Sequence, residues 1–212
     1  MPIRFHSAAL CILLAFAASS PASAQGGPPR IMQATNVTPN LLFRAEDVLK
    51  FEQKAGVDAK ALAITKVVRD EVSESMAGKD HGWGLAGFHT VKLATGGLLV
   101  NTVLDVATSA RQVEGVRGDM FQGYVDGVKQ QGGTLEELDG ETPFPVASYY
   151  VLHRDGKAVG NLILAGRGSN TVIVMLMGRY PLKDAGSINR FLAPKIDTLL
   201  DFKPALPQSP PR

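Results

Sequence analysis

Histidines are the residues of this chain best suited to proton transfer or metal binding near neutral pH. Three of them follow residue 24: His81, His89 and His153. Protein metal sites commonly pair histidines that are close in sequence and add a carboxylate. The intervals here are far wider, so we predict no metal site and no cofactor. We expect His89 to be a half-buried histidine of a sheet and His153 to be solvated beside a turn.

The first candidate binding feature is a glycine-flanked segment that contains His81 and Trp83. Asp80 precedes them, and Gly82 and Gly84 surround the tryptophan. A mobile loop with an imidazole, an indole and a carboxylate can form the lip of a ligand site. The alternative is that Trp83 closes the hydrophobic core. This interpretation is favoured because a tryptophan side chain buries a large apolar area.

The second candidate feature is a set of polar residues in two neighbouring strands. Asp155 and Gly156 are a strong two-residue turn signal, which places Tyr150 opposite Asn161. Ser148 falls on the same face, which a helix should cover. Buried polar groups need hydrogen-bond partners, so these side chains either bond to the protein, which is favoured, or line a small pocket. The complete candidate pocket comprises Ser148, Tyr150, Asn161, His81 and Trp83.

Motifs for nucleophilic or phosphate chemistry are incomplete in this sequence. Ser169 lies between Gly168 and Asn170, so the second glycine of a G-x-S-x-G elbow is missing. No helix is expected after Arg167, so the helix dipole that would hold a phosphate there is missing too. Four carboxylates close in sequence are expected on a solvated sheet edge: Glu136, Glu137, Asp139 and Glu141.

Four helical patterns surround these residues, at 44–54, 58–75, 112–131 and 185–202. In the second pattern, Ile64, Val68 and Val72 recur on one helical face, which favours a helix. These residues are β-branched, so a strand from Leu62 to Val68 is the alternative. In the last pattern, Pro194 lacks the amide hydrogen that a continuous helix needs, and we predict a kink there.

Alternating apolar residues predict a hairpin and a three-stranded meander. The hairpin has Gly96 and Gly97 as its turn and places His89 opposite Leu104; its strands are residues 88–94 and 98–106. A short strand at 134–138 precedes the meander, whose strands are 146–153, 158–165 and 171–177. The last strand is apolar on both faces, which is typical of a central strand.

Long helices bury their apolar stripes against a sheet, so the pattern predicts an α+β fold: an antiparallel β-sheet covered by helices on both faces. From residue 83 to 202, the order of hairpin, glycine-bearing helix, Asp-Gly meander and terminal helix resembles the Mog1/PsbP-like fold. This family includes the photosystem oxygen-evolving accessory protein and the bacterial envelope protein DcrB. The resemblance covers just over half of the chain and implies an accessory or binding role more than catalysis. The chain differs from that family by lacking a lipid-attachment cysteine and by an extra helical segment before residue 80.

The first 24 residues are predicted to be a secretory signal peptide. Arg4 supplies the positive end, residues 8–18 are apolar, and residues 22–24 fit the cleavage pattern before Gln25. The apolar run is too short to cross a bilayer. Cys11 is the only cysteine and is removed with the signal. Disulfides, cysteine-bound metals and thiol nucleophiles are therefore excluded from the mature chain.

The remaining chain divides into a flexible leader (25–35), a single domain (36–202) and a proline-rich disordered tail (203–212). Removing Arg4 from the 22 basic residues leaves 21, against 20 acidic residues, and no basic run indicates nucleic-acid binding. We expect a periplasmic or secreted, non-catalytic binding or accessory protein, whose partner is an envelope protein or a small ligand. Two alternatives stay open: a periplasmic enzyme with a site near His81 and His89, and a membrane-associated factor that uses a helix over residues 44–75.

Overall fold

The computed structural model describes residues 42–56, 64–76, 83–93, 96–106, 110–179 and 182–203. The helices in these ranges are α1 (Ala45–Lys54), α2 (Ala110–Gln130), α3 (Ala185–Leu192) and α4 (Ile196–Leu200). The strands are β1 (Ile64–Met76), β2 (Trp83–Leu93), β3 (Gly96–Val106), β4 (Thr134–Glu137), β5 (Val146–Arg154), β6 (Lys157–Arg167) and β7 (Asn170–Met177). The predicted signal peptide, the leader and residues 204–212 of the tail lie outside the described residues.

These seven strands form one antiparallel sheet in the order β1-β2-β3-β7-β6-β5-β4. The α+β class and the antiparallel sheet are therefore confirmed. β7 occupies the centre of the sheet, and every residue except its last is buried. Its apolar sequence on both faces is explained by this position. β1 and β4 are the outer strands of the described sheet.

Alternate residues of the central strand contribute to two hydrophobic clusters. Val172, Val174 and Leu176 belong to the first cluster, which also contains the buried apolar residues of α1, α3 and α4. Ile173 and Met175 belong to the second cluster. The α2 residues that pack against the second cluster are Met120, Phe121, Tyr124, Val125 and Val128. The division follows the two-residue period of a strand.

The C-terminal helical pattern is interrupted at Pro194, as predicted. α3 ends at Leu192, and α4 begins at Ile196 after a three-residue turn. Asp184 caps α3, because its carboxylate accepts a hydrogen bond from the Ser187 backbone N–H at 2.7 Å. Hydrogen bonds from Ser187 hold the pKa of Asp184 below its usual range.

The helix predicted for residues 58–75 is wrong over the part that the structure describes. Residues 64–76 form β1, which pairs with β2, and residues 58–63 lie outside the described ranges. The helical spacing of Ile64, Val68 and Val72 competes with the preference of β-branched residues for strands. Pairing with β2 decides the competition in favour of the strand. α1 ends at Lys54. Because residues 64–75 belong to β1, the alternative of one helix over residues 44–75 is wrong.

The β2–β3 hairpin is present, but its predicted register is wrong by four residues. His89 lies opposite Val100 rather than Leu104, and Leu93 lies opposite Gly96. The predicted turn glycines are thus part of β3, and the connection falls at residues 94–95, outside the described ranges. A shift by an even number leaves each residue on the same face of the sheet. The alternation of apolar residues therefore cannot distinguish the two registers.

The predicted Asp-Gly turn joins β5 to β6, with a positive φ of 51° at Asp155. Beside the turn the register is as expected, but a β-bulge after Leu152 shifts the rest of the pairing by one residue. Tyr150 consequently lies opposite Leu162 rather than Asn161. A shift by one residue reverses the face on which a side chain lies, so the predicted pairing of Tyr150 with Asn161 is wrong.

Candidate functional site

The structure separates the side chain of Asn161 from those of the other two polar strand residues of the predicted pocket, Ser148 and Tyr150. Tyr150 lies on the face of the second cluster, where its ring centroid is 5.9 Å from that of Phe121. Ser148 is half-buried two residues earlier in the same strand. Asn161 lies on the face of the first cluster, where its side-chain amide donates to the Leu182 carbonyl at 2.9 Å. The bulge in β5 therefore places the Asn161 side chain on the opposite face of the sheet from the side chains of Ser148 and Tyr150, although the Asn161 amide also donates to the Tyr150 backbone carbonyl at 3.4 Å.

Of the two predicted loop residues, Trp83 begins a strand and His81 lies outside the described residues. Trp83 is opposite Met76 of β1 and Val106 of β3. The glycine-flanked segment is therefore part of the sheet from Trp83 onward, rather than a loop. Pairing on both sides fixes its backbone.

His89 lies in one transverse row of the sheet with Asn161. The row runs from His89 through Val100 and Leu176 to Asn161. The two ends are three strands apart, which at about 4.8 Å per strand separates their backbones by about 14 Å. Tyr150 is one strand further away. The enzyme alternative requires Asp80, His81 or His89 to converge with Tyr150 or Asn161. His89 does not converge with either residue, and Asp80 and His81 lie outside the described residues.

His153 is half-buried, with 25% of its side chain exposed, rather than solvated. Its Nε2 atom lies 2.8 Å from the Glu136 carboxylate, so the imidazole joins β5 to the outer strand β4. The four neighbouring carboxylates of residues 136–141 are exposed, as predicted. Within the described ranges, no group of three or more His, Cys, Asp and Glu residues is placed to hold a metal ion.

A groove of about 630 Å³ lies between α1 and the corner where α3 ends. We call it the helical groove. Its lining combines aromatic rings with charged side chains: Phe43, Asp47, Lys50, Phe51, Lys54, Ala55, Arg190, Phe191, Pro194 and Lys195. None of these residues belongs to the pocket predicted from the sequence.

Three phenylalanines form the floor of the helical groove. The Phe43 and Phe191 rings are 5.0 Å apart and tilted, and the Phe51 ring meets that of Phe191 edge-on at 6.0 Å. Phe43 is 2% exposed and Phe191 3% exposed, whereas Phe51 is half-buried. Such ring contacts are worth about 0.5–1.5 kcal/mol each beyond the buried area. The floor is therefore a rigid apolar surface that presents mainly Phe51 to a ligand.

Cationic side chains form the rim of the groove on both sides. Lys50 and Lys54 are exposed one turn apart on α1. Arg190 and Lys195 stand on the opposite wall. Neither Lys50 nor Lys54 has an ion pair with any residue in the described part of the chain. Four cations and the single carboxylate of Asp47 give the lining a formal net charge of +3.

Lys195 clamps the start of α1 to the α3–α4 corner. Its Nζ atom donates to the Leu42 carbonyl at 2.7 Å and to the Asp47 carboxylate. The same carboxylate oxygen accepts the Arg44 backbone N–H at 2.8 Å. Nζ also lies 5.7 Å from the centre of the Phe43 ring, within cation–π range. Asp47 is thus neutralised within the fold, and the rim keeps an excess of positive charge.

A buried ion pair holds the second half of α1. The Arg179 guanidinium donates to one Glu52 carboxylate oxygen through Nε at 3.0 Å and through Nη2 at 2.8 Å. Glu52 is 6% exposed, so this contact lies under the helix rather than on its surface. Both ends of α1 are therefore fixed, and the groove is formed before a ligand arrives. Preformed sites lose less conformational entropy on binding.

Both walls of the groove are predictable from the sequence, but the contact between them is not. α1 and the break at Pro194 follow from local patterns. The signal that the sequence offers for the groove is Phe51 between Lys50 and Lys54, an aromatic residue flanked by two cations. Nothing in the spacing of these residues indicates that α1 packs against α3, about 140 residues later.

The arrangement suits a ligand that combines negative charge with an apolar group. Carboxylates or phosphates can pair with the rim, and an apolar group can lie on Phe51. No protein-family model matches the chain, and no curated protein matches its sequence. None of the described helices is both long and apolar enough to cross a membrane.

Proposed function

We propose that this protein is an exported, non-catalytic binding protein of the bacterial envelope, and that the helical groove is its binding surface for an anionic partner. The observation that carries the proposal is the cationic rim over a rigid aromatic floor. Unpaired cations at the rim accelerate and orient the approach of an anionic partner. The aromatic floor supplies apolar contact area once the partner has arrived.

Export is supported by the signal-peptide pattern of residues 1–24. We expect cleavage between Ala24 and Gln25. N-terminal sequencing of protein from the envelope fraction measures this directly. A chain that still begins at Met1, or that stays in the cytoplasm, would contradict export.

The proposed architecture places α1, α3 and α4 on one face of the sheet and α2 on the other. The two hydrophobic clusters support this arrangement, because each contains residues from a different set of helices. It is also the arrangement that a Mog1/PsbP-like fold would have. A role as an accessory protein of that kind remains part of the proposal, and it agrees with a site built for binding.

One observation favours the enzyme alternative. Asp70 of β1 occupies the register position opposite His89 of β2. A carboxylate next to a histidine can orient an imidazole for proton transfer. Directly opposite residues of an antiparallel pair also interact without any catalytic role. The helical groove, with its larger set of converging groups, supports binding better than this pair supports catalysis. The membrane alternative loses its helix over residues 44–75, because residues 64–76 form β1.

The binding test uses a fluorescently labelled peptide that carries several aspartates and glutamates around one phenylalanine. We expect it to bind the chain that begins at Gln25, as measured by fluorescence anisotropy. The double variant Lys50→Glu/Lys54→Glu should weaken binding at least about tenfold, since two surface ion pairs at about 0.5–1 kcal/mol each are lost and replaced by repulsion. A peptide with alanine in place of its phenylalanine should also bind more weakly.

The matched control is Lys129→Glu/Lys157→Glu. Both lysines are exposed, and neither lines the groove. This control changes the net charge by the same amount. Equal loss of binding in the two double variants would show that overall charge attracts the peptide, and it would refute the groove as the site.

A further inference from the structure

An acidic segment lies on the surface next to the helical groove. It comprises the end of β4 and the loop that follows, and four of its six residues are exposed carboxylates: Glu136, Glu137, Asp139 and Glu141. We call residues 136–141 the acidic segment. Leu138 is half-buried and packs against the first cluster. The segment is therefore anchored to the fold. The carboxylates of Glu137, Asp139 and Glu141 are presented to solvent, and that of Glu136, also exposed, contacts His153 Nε2 at 2.8 Å.

The acidic segment and the helical groove lie on two sides of α3. On one side, the Asn189 amide donates to the Glu141 carbonyl at 2.9 Å, and Gly140 approaches Ala185 so closely that a Cβ on the glycine would lie 2.5 Å from the alanine Cβ. On the other side, Phe191 contacts α1 through Phe51. A helix with its side chains is about 10–12 Å wide, so the two charged regions are close enough to belong to one protein surface.

We propose that two copies of this chain associate about a two-fold axis, with the acidic segment of each copy in the helical groove of the other. This inference rests on the proposed function in one respect, since it takes the groove to be a site for an anionic partner. The groove has a formal charge of +3 and the segment a formal charge of −4. In a two-fold pair each region meets the opposite region of the partner, so the same attraction is formed twice.

The ends of the chain are poorer occupants of the groove than a second copy. Residues 25–41 and 204–212 contain no aspartate or glutamate. The charged side chains of these two segments are Arg30 and Arg212, which a rim with excess positive charge repels. The acidic segment has four carboxylates within six residues, and its charge complements the rim.

Sedimentation velocity on the chain that begins at Gln25 tests the association. We expect a dimer that forms with rising protein concentration at low salt and weakens strongly near 1 M NaCl, where the Debye length falls to about 3 Å. The groove variant Lys50→Glu/Lys54→Glu changes the formal charge of the groove from +3 to −1, and the segment variant Glu137→Lys/Asp139→Lys/Glu141→Lys changes that of the segment from −4 to +2. Each variant should weaken self-association at least about tenfold. The control Lys129→Glu/Lys157→Glu should associate like the wild type.

Mixing the two charge-reversed variants gives the decisive result. The reversed groove of one variant then meets the reversed segment of the other, and the two unaltered regions also meet. We expect a heterodimer in the mixture at protein concentrations at which each variant alone is monomeric, because each self-associates at least about tenfold more weakly than the wild type. A misfolded variant cannot produce this rescue. A mixture that stays monomeric would overturn the proposal, and so would a control that loses association as strongly as the groove variant.

The outcome also separates this inference from the proposed function. A wild-type chain that stays monomeric at low salt but binds the labelled acidic peptide overturns the dimer and leaves the groove as a binding site. A chain that neither dimerises nor binds the peptide overturns both. A dimer from which the labelled peptide displaces the second copy supports both, because the peptide and the acidic segment then compete for one groove.

Discussion

Replacing Arg179 by methionine should destabilise the fold, because it leaves the buried Glu52 carboxylate without its guanidinium partner. The wild-type contact has two hydrogen bonds, at 3.0 and 2.8 Å, and Glu52 is 6% exposed. Removing one partner of a buried ion pair costs about 3–5 kcal/mol. The Arg179 side chain is 19% exposed, so solvent screens part of this interaction. We therefore expect a loss of about 2–3 kcal/mol in the free energy of unfolding.

Urea denaturation measures this loss, and the double variant Glu52→Leu/Arg179→Met is its control. The double variant removes both charges, and it should unfold within about 1 kcal/mol of the wild type, because no charge is left buried alone. The denaturant slope should stay constant across the series if each variant keeps the native fold.

Two results would refute this reasoning about the ion pair. Arg179→Met within about 0.5 kcal/mol of the wild type would mean that the Glu52 carboxylate reaches solvent. A double variant as unstable as Arg179→Met would mean that the arginine stem, rather than its charge, supports α1.

Three further substitutions test the packing and capping described above. Gly127→Leu should cost about 1–3 kcal/mol by overpacking, since Gly127 is buried where α2 meets the sheet, and an unchanged urea midpoint would show spare room there. Asn170→Ala should cost about 1–3 kcal/mol, because its amide donates to the Leu200 carbonyl at 2.6 Å and to two neighbouring carbonyls at the end of α4. Unaltered hydrogen exchange in α4 would contradict that role. Asp184→Ala should destabilise the fold most near neutral pH, because a carboxyl whose pKa is lowered by folding stabilises the fold above its ordinary pKa. This stabilisation is lost as the pH falls through the folded-state pKa, so the difference from the wild type should shrink below about pH 4, and a difference that stays constant down to pH 3 would contradict it.

The parts of the fold that depend on residues close together in the sequence could be predicted from local sequence patterns. The amphipathic stripe of α2, the break at Pro194 and the turn at Asp155 each depend on residues within one or two turns of chain. β1 was misassigned because the spacing of its apolar residues fits a helix, whereas their β-branched side chains favour a strand. The strand is selected by pairing with β2, which comes later in the chain. The bulge after Leu152 has no signal in its own residues, and it places the side chains of Asn161 and Tyr150 on opposite faces of the sheet.

The candidate site was less predictable than the fold, for a related reason. The charges and rings of the groove are visible in the sequence, but their function depends on the contact between α1 and α3. That contact joins residues such as Phe51 and Phe191 across about 140 positions. Periodicity describes which face of a helix is apolar, and it does not say which other helix meets that face.

The position of β7 between β3 and β6 has a consequence for how the chain folds. β1, β2 and β3 follow one another in the chain and pair in that order, and so do β5, β6 and β7. Within the described sheet, the two sets of strands are joined by the pairing of β3 with β7, where Leu99 lies opposite Met177, 78 positions further along. Closing a loop of that length is entropically costly before any contact offsets it. We expect each set of strands to form early from local contacts, and the pairing of β3 with β7 to set the overall folding rate.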